Sequence, residues 1–359
     1  MMEKRSILFL TRYDRKAASS RYRFLQYIPY LEKEGFSCVI SPLFDESYFN
    51  KYLNFQRKKK FDLFKYLITR VLTLFTAHKF KLVVLEKELI PYAPAVLERI
   101  LNITGIPYIV DYDDAIFHQY DCHPNPIIRT IFKKKIAVVM RNARLVIAGN
   151  PYLANYAQQA GAKEVEVIPT VIDITKYPEQ RIIKNNNIFT IIWIGSPSTY
   201  QHVEMIMPIL TNISADHNSK VLLIGPGERK INTAGIKVQA WSETSEVADL
   251  QAAHVGIMPL PNTPWNRGKC GFKLIQYMAS SLPVIASPVG VNTTLIEHGK
   301  NGYLASTNDE WITYFNLLRQ TVDKGQKMGV YGRDKVKNNY CIQATAPRLI
   351  ELFLQIINK

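Results

Sequence analysis

Nine short apolar runs recur along this chain, at 7–10, 38–40, 82–85, 108–110, 145–148, 191–194, 221–224, 255–258 and 284–286. Runs of this length bounded by turn residues are the mark of strands buried on both faces of a parallel sheet. The gaps carry helical spacing instead. In 21–35, Phe24, Tyr27, Ile28 and Leu31 fall on one face and Gly35 stands as a C-cap. Strands alternating with helices predict an α/β protein built of parallel βαβ layers. A second strand series opens near Ile188, after a stretch holding Pro178 and Asn185-Asn186-Asn187. At 359 residues the chain exceeds what one core usually covers. Two α/β domains are expected, over 1–170 and 171–342. The amphipathic tail 343–359 (Leu349, Leu352, Phe353, Ile356, Ile357) either caps the second domain or packs back toward the first.

Charge separates the halves. Of 45 Lys+Arg and 30 Asp+Glu, residues 1–170 hold 26 and 16, a net of +10, which leaves 19 and 14, a net of +5, for the rest. Such a field favours anionic partners: nucleotide phosphates, lipid head groups or nucleic acid. No zinc-finger, helix-turn-helix or ribonucleoprotein pattern supports nucleic acid. The tract 57–81 interleaves Arg57, Lys58, Lys59, Lys60, Lys65, Arg70, Lys79 and Lys81 with aromatic and aliphatic residues. This reads as a basic amphipathic helix, lying either on an anionic membrane surface or with its apolar face in the core. No apolar run is long enough to span a bilayer, and the first ten residues lack a signal-peptide core, so a cytoplasmic location is expected, peripheral on the inner membrane face. Cys38, Cys122, Cys270 and Cys341 are far apart with no CxxC pair, which supports neither a disulfide framework nor a metal site.

Several loops carry chemistry, most of them after strands. In the first, Ser19, Ser20, Arg21 and Arg23 either approach an anion or simply cap a helix, with the arginines in solvent. After 82–85 come Glu86 and Glu88. Asp111-Tyr112-Asp113-Asp114 places clustered acids at a strand end, where they orient a hydroxyl, act as base, pair with nearby cations, or form a surface turn with a helix N-cap. His118 near this loop reads as structural. Asn150, after 145–148, lies on the same edge, either as a further site candidate or as a cap. Trp193-Ile194-Gly195-Ser196-Pro197-Ser198-Thr199 is a strand, a tight turn and a helix start, with Ser196 or Ser198 as N-cap. Finally, Arg267-Gly268-Lys269-Cys270-Gly271-Phe272-Lys273 is a cationic loop entering a helix, which suits an anion. Lys269 and Lys273, one helical turn apart, either face the same phosphate or belong to a solvated lysine-rich loop before a core helix.

The run Gly268-Lys269-Cys270-Gly271-Phe272-Lys273-Leu274-Ile275-Gln276-Tyr277-Met278-Ala279 continues through Pro283-Val284-Ile285-Ala286 to Gly299-Lys300-Asn301-Gly302. It resembles the donor-binding region of retaining GT-B glycosyltransferases of family 4, in the subgroup reading GKCGFKLxQYMA. Asp111-Tyr112-Asp113-Asp114-Ala115-Ile116-Phe117 and Ile194-Gly195-Ser196-Pro197-Ser198-Thr199 extend the resemblance over nearly the whole chain.

The resemblance implies two Rossmann-like domains facing a cleft. It implies retaining hexosyl transfer from a nucleotide-sugar to a glycan or lipid-linked acceptor, in bacterial surface-polysaccharide synthesis, with no metal and no further cofactor. Lys269 and Lys273 would hold the donor diphosphate, with Gly195, Ser196 and Arg21 assisting and Arg267 and Phe272 also binding the donor nucleotide-sugar. Gln276 would contact the ribose, and Asp113 or Asp114 would place the acceptor. The family carries two glutamates where this chain has Gly268 and Gln276: Gln276 keeps hydrogen bonding without charge, and Gly268 has no side chain. A nucleotide-sugar epimerase or hydrolase, and a non-catalytic nucleotide- or glycan-binding relative, are the alternatives. A nicotinamide dehydrogenase lacks its G-x-G-x-x-G after 7–10.

Overall fold

The computed structural model describes residues 5–48, 60–179, 188–229 and 231–358. They form two compact units. The first holds the described residues up to 171 together with 267–270 and those from 345 on; the second holds 172–266 and 271–344.

The first unit contains a parallel six-stranded sheet in the order β2-β1-β3-β4-β5-β6. Its strands are β1 (Arg5–Leu10), β2 (Phe36–Ile40), β3 (Leu82–Glu86), β4 (Tyr108–Tyr112), β5 (Leu145–Ala148) and β6 (Val165–Val167). The helices between them that matter below are α1 (Ile28–Lys33), α2 (Lys60–Phe75), α3 (Val96–Ile103), α4 (Pro126–Phe132), α5 (Lys135–Asn142) and α6 (Pro151–Gln159). Strand residues alternate between two apolar layers. Leu8, Leu10, Val83, Leu85, Tyr108 and Val110 share one core with Leu74, Leu101, Phe132 and Met140. Phe9 faces the other layer, meeting Phe24 at 6.2 Å and Phe353 at 6.4 Å. Phe353 belongs to the final helix, which from Thr345 on is part of this unit.

The helix expected over 21–35 is interrupted. Arg21–Leu25 form a π turn in which Gln26 N donates to Arg21 O at 3.0 Å, and regular helix resumes in α1. This wider turn buries both Arg21 and Arg23, which a solvated helix face would have exposed.

The second unit has six parallel strands in the order β12-β11-β10-β7-β8-β9. These are β7 (Phe189–Ile194), β8 (Ser219–Ile224), β9 (Ile236–Gln239), β10 (Val255–Met258), β11 (Val284–Ala286) and β12 (Gly302–Leu304). Counted within the unit, this is the 3-2-1-4-5-6 order of a dinucleotide-binding sheet. Its helices include α7 (Met207–Ser214), α8 (Glu246–Gln251), α9 (Phe272–Ala279), α10 (Asn308–Gln320) and α11 (Val322–Asn339), and α12 (Ile342–Ile357) begins here. In such sheets the carboxyl ends of the strands beside the reversal of order are the ligand-binding edge. That edge lies between β1 and β3 in the first unit and between β7 and β10 in the second.

Candidate functional site

At the reversal point of the first unit, β3 ends in Glu86, and Lys87 then takes φ 66, with Glu88 N donating back to Glu86 O at 2.8 Å. This is a γ-turn on a non-glycine residue, a strained conformation that needs support from its surroundings. The support is ionic. Lys87 Nζ stands 2.8 Å from Asp113 Oδ1 and 3.7 Å from Asp114 Oδ2. Burial works against the Lys87 charge, yet the two aspartates outweigh it and raise its pKa above the usual range. Burial likewise opposes charge on Asp113, but Lys87, Arg23 and the Ser19 hydroxyl hold its carboxyl down at about 2.

Ser19 and Ser20 do not cap a helix. Ser20 Oγ donates to Glu86 Oε2 at 2.8 Å, and Arg12 N donates to the same oxygen at 2.7 Å. Ser19 Oγ lies 2.8 Å from Glu86 Oε1 and 2.7 Å from Asp113 Oδ2. A hydroxyl has one proton to give, so it serves one carboxylate at a time. Glu88, the other acid after β3, accepts from Tyr120 Oη at 2.8 Å and pairs with Lys135 at 2.5 Å.

The remaining acid of the strand-end cluster has a structural partner. Asp111 takes a forked contact from the Arg23 guanidinium, with Nε at 2.9 Å, and Arg23 also donates to Ile168 O at 2.8 Å. Burial lowers the Arg23 pKa, but the Asp111 carboxylate more than reverses it. Sequence reading singled out Arg21; Arg23 is the one that locks β4, because only the π turn brings it inward. Arg21 is buried, with its guanidinium 4.8 Å from the Tyr22 ring. Asp113 is thus an enclosed ion-network member, whereas the Asp114 side chain is 30% exposed and is the acid open to a ligand.

The segment 267–270 was expected to lead into the donor helix of the second domain; it clusters with the first unit. Asn150 Nδ2 donates to Gly268 O at 2.9 Å and Lys269 O at 3.2 Å, while its Oδ1 caps α6. Lys269 Nζ pairs with Asp114 Oδ1 at 3.3 Å. Burial pushes the Cys270 thiol up to about 12, so it stays protonated and donates to Asp113 O at 3.0 Å. A Cβ on Gly268 would lie 2.4 Å from Ala115 Cβ and 2.9 Å from Ala115 N. No glutamate fits there. Lys269 and Lys273 are therefore not neighbours on one helix: Gly271, at φ 66, starts α9 only at Phe272.

In the second unit, Gly195 follows β7, and a Cβ there would collide with Trp193 Cζ2 at 2.3 Å. Gly195 N donates to Ile224 O at 3.0 Å, and Ser196 N donates to Thr199 Oγ1 at 3.0 Å. The expected serine N-cap is absent; Thr199 organises this turn instead, with Ser196 Oγ 3.0 Å from Ser198 Oγ. Phe272 and Lys273 open α9, and Lys273 Nζ stands 5.9 Å from the Trp193 ring centroid. Gln276 is buried on the same helix. Its Nε2 donates to Glu246 Oε1 at 2.6 Å, and Trp241 Nε1 donates to Glu246 Oε2 at 2.6 Å. Sequence reading missed Glu246; its one local signal was an acid in the first turn of α8 after a short strand.

One group among the described residues has metal-ligand geometry. His118, Asp121 and Cys122 bring ligand atoms within 4.8 Å of one another. His118 Nδ1 is 2.8 Å from Asp121 Oδ1 and Nε2 is 2.8 Å from Tyr152 Oη, so both ring nitrogens are engaged within the protein.

Residues 188–319 match the family model described as glycosyl transferases group 1. Over 81 residues the chain is 32% identical to spore coat protein SA of Bacillus subtilis (strain 168), a stretch covering 22% of this chain and 22% of that relative. Among solved structures, sucrose-phosphate synthase from Thermosynechococcus elongatus superposes with a TM-score of 0.72 at 13% identity, covering 99% of this chain and 100% of that one. A glycosyltransferase from Rickettsia africae ESF-5 gives 0.73 at 13% identity, covering 99% and 100%. Anabaena Alr3699/HepE in complex with UDP-glucose gives 0.71 at 16% identity, covering 98% and 99%. At such identities the likeness is one of fold: the two Rossmann-like domains of the GT-B architecture.

Proposed function

We propose that this chain is a retaining glycosyltransferase that moves a hexosyl group from a nucleotide-sugar to a glycan or lipid-linked acceptor, in bacterial surface-polysaccharide synthesis. The observation that carries the reading is Lys273 in the first turn of α9, in a sheet with dinucleotide-binding strand order, inside the segment that matches the group 1 model. In the reaction the acceptor hydroxyl oxygen bonds to the anomeric carbon, the bond from that carbon to the diphosphate oxygen breaks, and the hydroxyl proton passes to the departing diphosphate. Negative charge builds on the leaving diphosphate, where a helix N-terminus and a cation are of most use. Lys273 is assigned that role, with Phe272, Gly195 and Ser196 lining the donor side and Gln276 offering its amide oxygen to the ribose. Of the first unit's residues, Asp114 orients the acceptor hydroxyl, and Asp113 positions the γ-turn at Lys87. Arg21, Arg267 and Lys269 supply positive charge. No metal and no further cofactor is required in this scheme.

The nucleotide in the Anabaena complex makes UDP the first probe. A ligand at 100 times its Kd stabilises the folded state by about 2.7 kcal/mol. UDP is expected to raise the melting temperature of the wild type and not of Lys273→Ala. No response to any nucleoside diphosphate in the wild type would sink the donor site. Product anomer, read by NMR, tests retention. Steady consumption of donor without acceptor would favour a hydrolase or epimerase instead. We place the protein in the cytoplasm, with the basic tract 57–81 toward an anionic inner membrane face; residues 57–59 lie outside the described residues. No helix among the described residues is long and apolar enough to cross a membrane.

A further inference from the structure

We infer that the outward faces of three helices in the first unit, α2, α3 and α4, form one docking surface for an anionic lipid bilayer. The inference extends the membrane contact proposed for 57–81 to two helices outside that tract, and it does not depend on the transfer reaction.

The three helices share a layer. Leu74 of α2, Leu97 and Leu101 of α3 and Phe132 of α4 join one core with Leu8, Leu10, Val83, Leu85, Tyr108 and Val110. Those strand residues alternate along β1, β3 and β4, so they point to one face of the sheet. Topology gives the same result. The crossovers β2 to β3, β3 to β4 and β4 to β5 advance in one direction across the strand order, and right-handed crossovers then put their helices on one side.

Away from that core, each helix shows apolar side chains to solvent at helical spacing. On α2 these are Phe64, Ile68, Leu72 and Phe75, the last 72% exposed. On α3 they are Val96, Ile100 and Ile103, the last 81% exposed. On α4 they are Ile127 and Ile131, and α4 buries no residue fully. Such stripes are costly to leave in water and mark a surface that is covered in use.

Charge selects what covers it. Between residues 64 and 144, Lys65, Lys79, Arg99, Arg129, Lys133 and Lys134 are among the exposed cations, while every Asp and Glu is buried or half-buried. A bilayer interface with anionic head groups takes aliphatic side chains between its head groups and cations at its surface. A second copy of this chain would bring like charge against like charge. Nucleic acid would use the cations and leave the aliphatic stripes in water.

The test is co-sedimentation of the full chain with extruded vesicles of phosphatidylcholine alone, or with about 30% phosphatidylglycerol to supply the anionic surface. Three paired variants each remove one stripe: Leu72→Ser with Phe75→Ser, Ile100→Ser with Ile103→Ser, and Ile127→Ser with Ile131→Ser. A fourth, Lys133→Glu with Lys134→Glu, reverses charge without touching an apolar side chain. The expected result is binding to the anionic vesicles only, weakened by salt, and reduced about fivefold or more by every pair. Unchanged melting temperatures verify that the variants fold, as exposed positions allow. Absence of wild-type binding to anionic vesicles overturns the inference. So does binding that the α3 and α4 pairs leave intact, or a stripe variant that dissociates a dimer while keeping its vesicle affinity. UDP-induced thermal shifts on the same samples keep the two readings apart: their loss with vesicle binding intact removes the donor site alone.

Discussion

The Gln276 amide donates to the Glu246 carboxylate at 2.6 Å, and both residues are buried in the second unit. Trp241 closes the other oxygen, so Glu246 has a donor on each side. At position 276 this chain therefore needs an amide: a second carboxylate would face the first. Gln276 and Glu246 form one unit, which turns the amide oxygen of Gln276 into its available acceptor.

Gln276→Glu is accordingly expected to harm stability. It removes a buried charged hydrogen bond and sets two carboxyls together, at a cost of about 1–3 kcal/mol. The pair can relax by sharing a proton, so the deficit should shrink as the pH is lowered from about 8 to about 5. Urea midpoints at the two pH values measure this; an equal deficit at both would refute the facing arrangement.

Gly268→Ala tests the packing of the 267–270 segment against Ala115. The new methyl meets Ala115 Cβ and backbone N, both closer than real contacts allow. Overpacking of this kind costs about 1–3 kcal/mol. Ala115→Gly in the same chain should recover part of the loss, because the nearest clash is with the Ala115 methyl. Strictly additive effects in the double-mutant cycle would mean the two residues do not touch.

Lys87 and Asp113 make an acid-sensitive support for the γ-turn. A carboxyl whose folded pKa lies below its unfolded one stabilises the protein above the unfolded value and loses that contribution as pH falls through the folded value. For Asp113 the window runs from 3.8 down to about 2. Lys87→Met should flatten this acid limb and, by leaving Asp113 enclosed without its cation, destabilise the neutral-pH protein by about 3 kcal/mol. Melting curves of both proteins between about pH 5 and pH 2.5 decide; an unchanged acid limb would count against the pairing.

Cysteine reactivity offers a check on the 267–270 segment. Cys270 is buried with its thiol held up at about 12, whereas Cys122 is exposed. Only thiolate reacts, so Cys122 should alkylate in the native protein and Cys270 only after unfolding. Mass mapping after a short iodoacetamide pulse would show this, and early labelling of Cys270 would mean the segment does not sit as described.

The sequence by itself determined the two α/β units, because apolar runs of strand length alternating with amphipathic stretches admit few other folds. It also marked several chemistry-bearing loops, since Glu86, Asp113 and Gly195 stand at or just past strand ends. Three short strands escaped it: Val165–Val167, Ile236–Gln239 and Gly302–Leu304 are half-polar or barely a turn long, and β6, β9 and β12 lie at sheet edges, where burial writes no continuous apolar pattern. Tertiary structure decided the partners. That Asp111 belongs to Arg23 and not to a substrate, that Ser19 bridges two acids instead of capping a helix, that Lys269 turns to Asp114, and that Gln276 answers Glu246 are contacts spanning 88, 94, 155 and 30 residues. Local spacing carries no information about such pairs. They are set by the folded backbone, which brings charged groups out of water together and leaves each to be satisfied by whichever opposite group lies within reach.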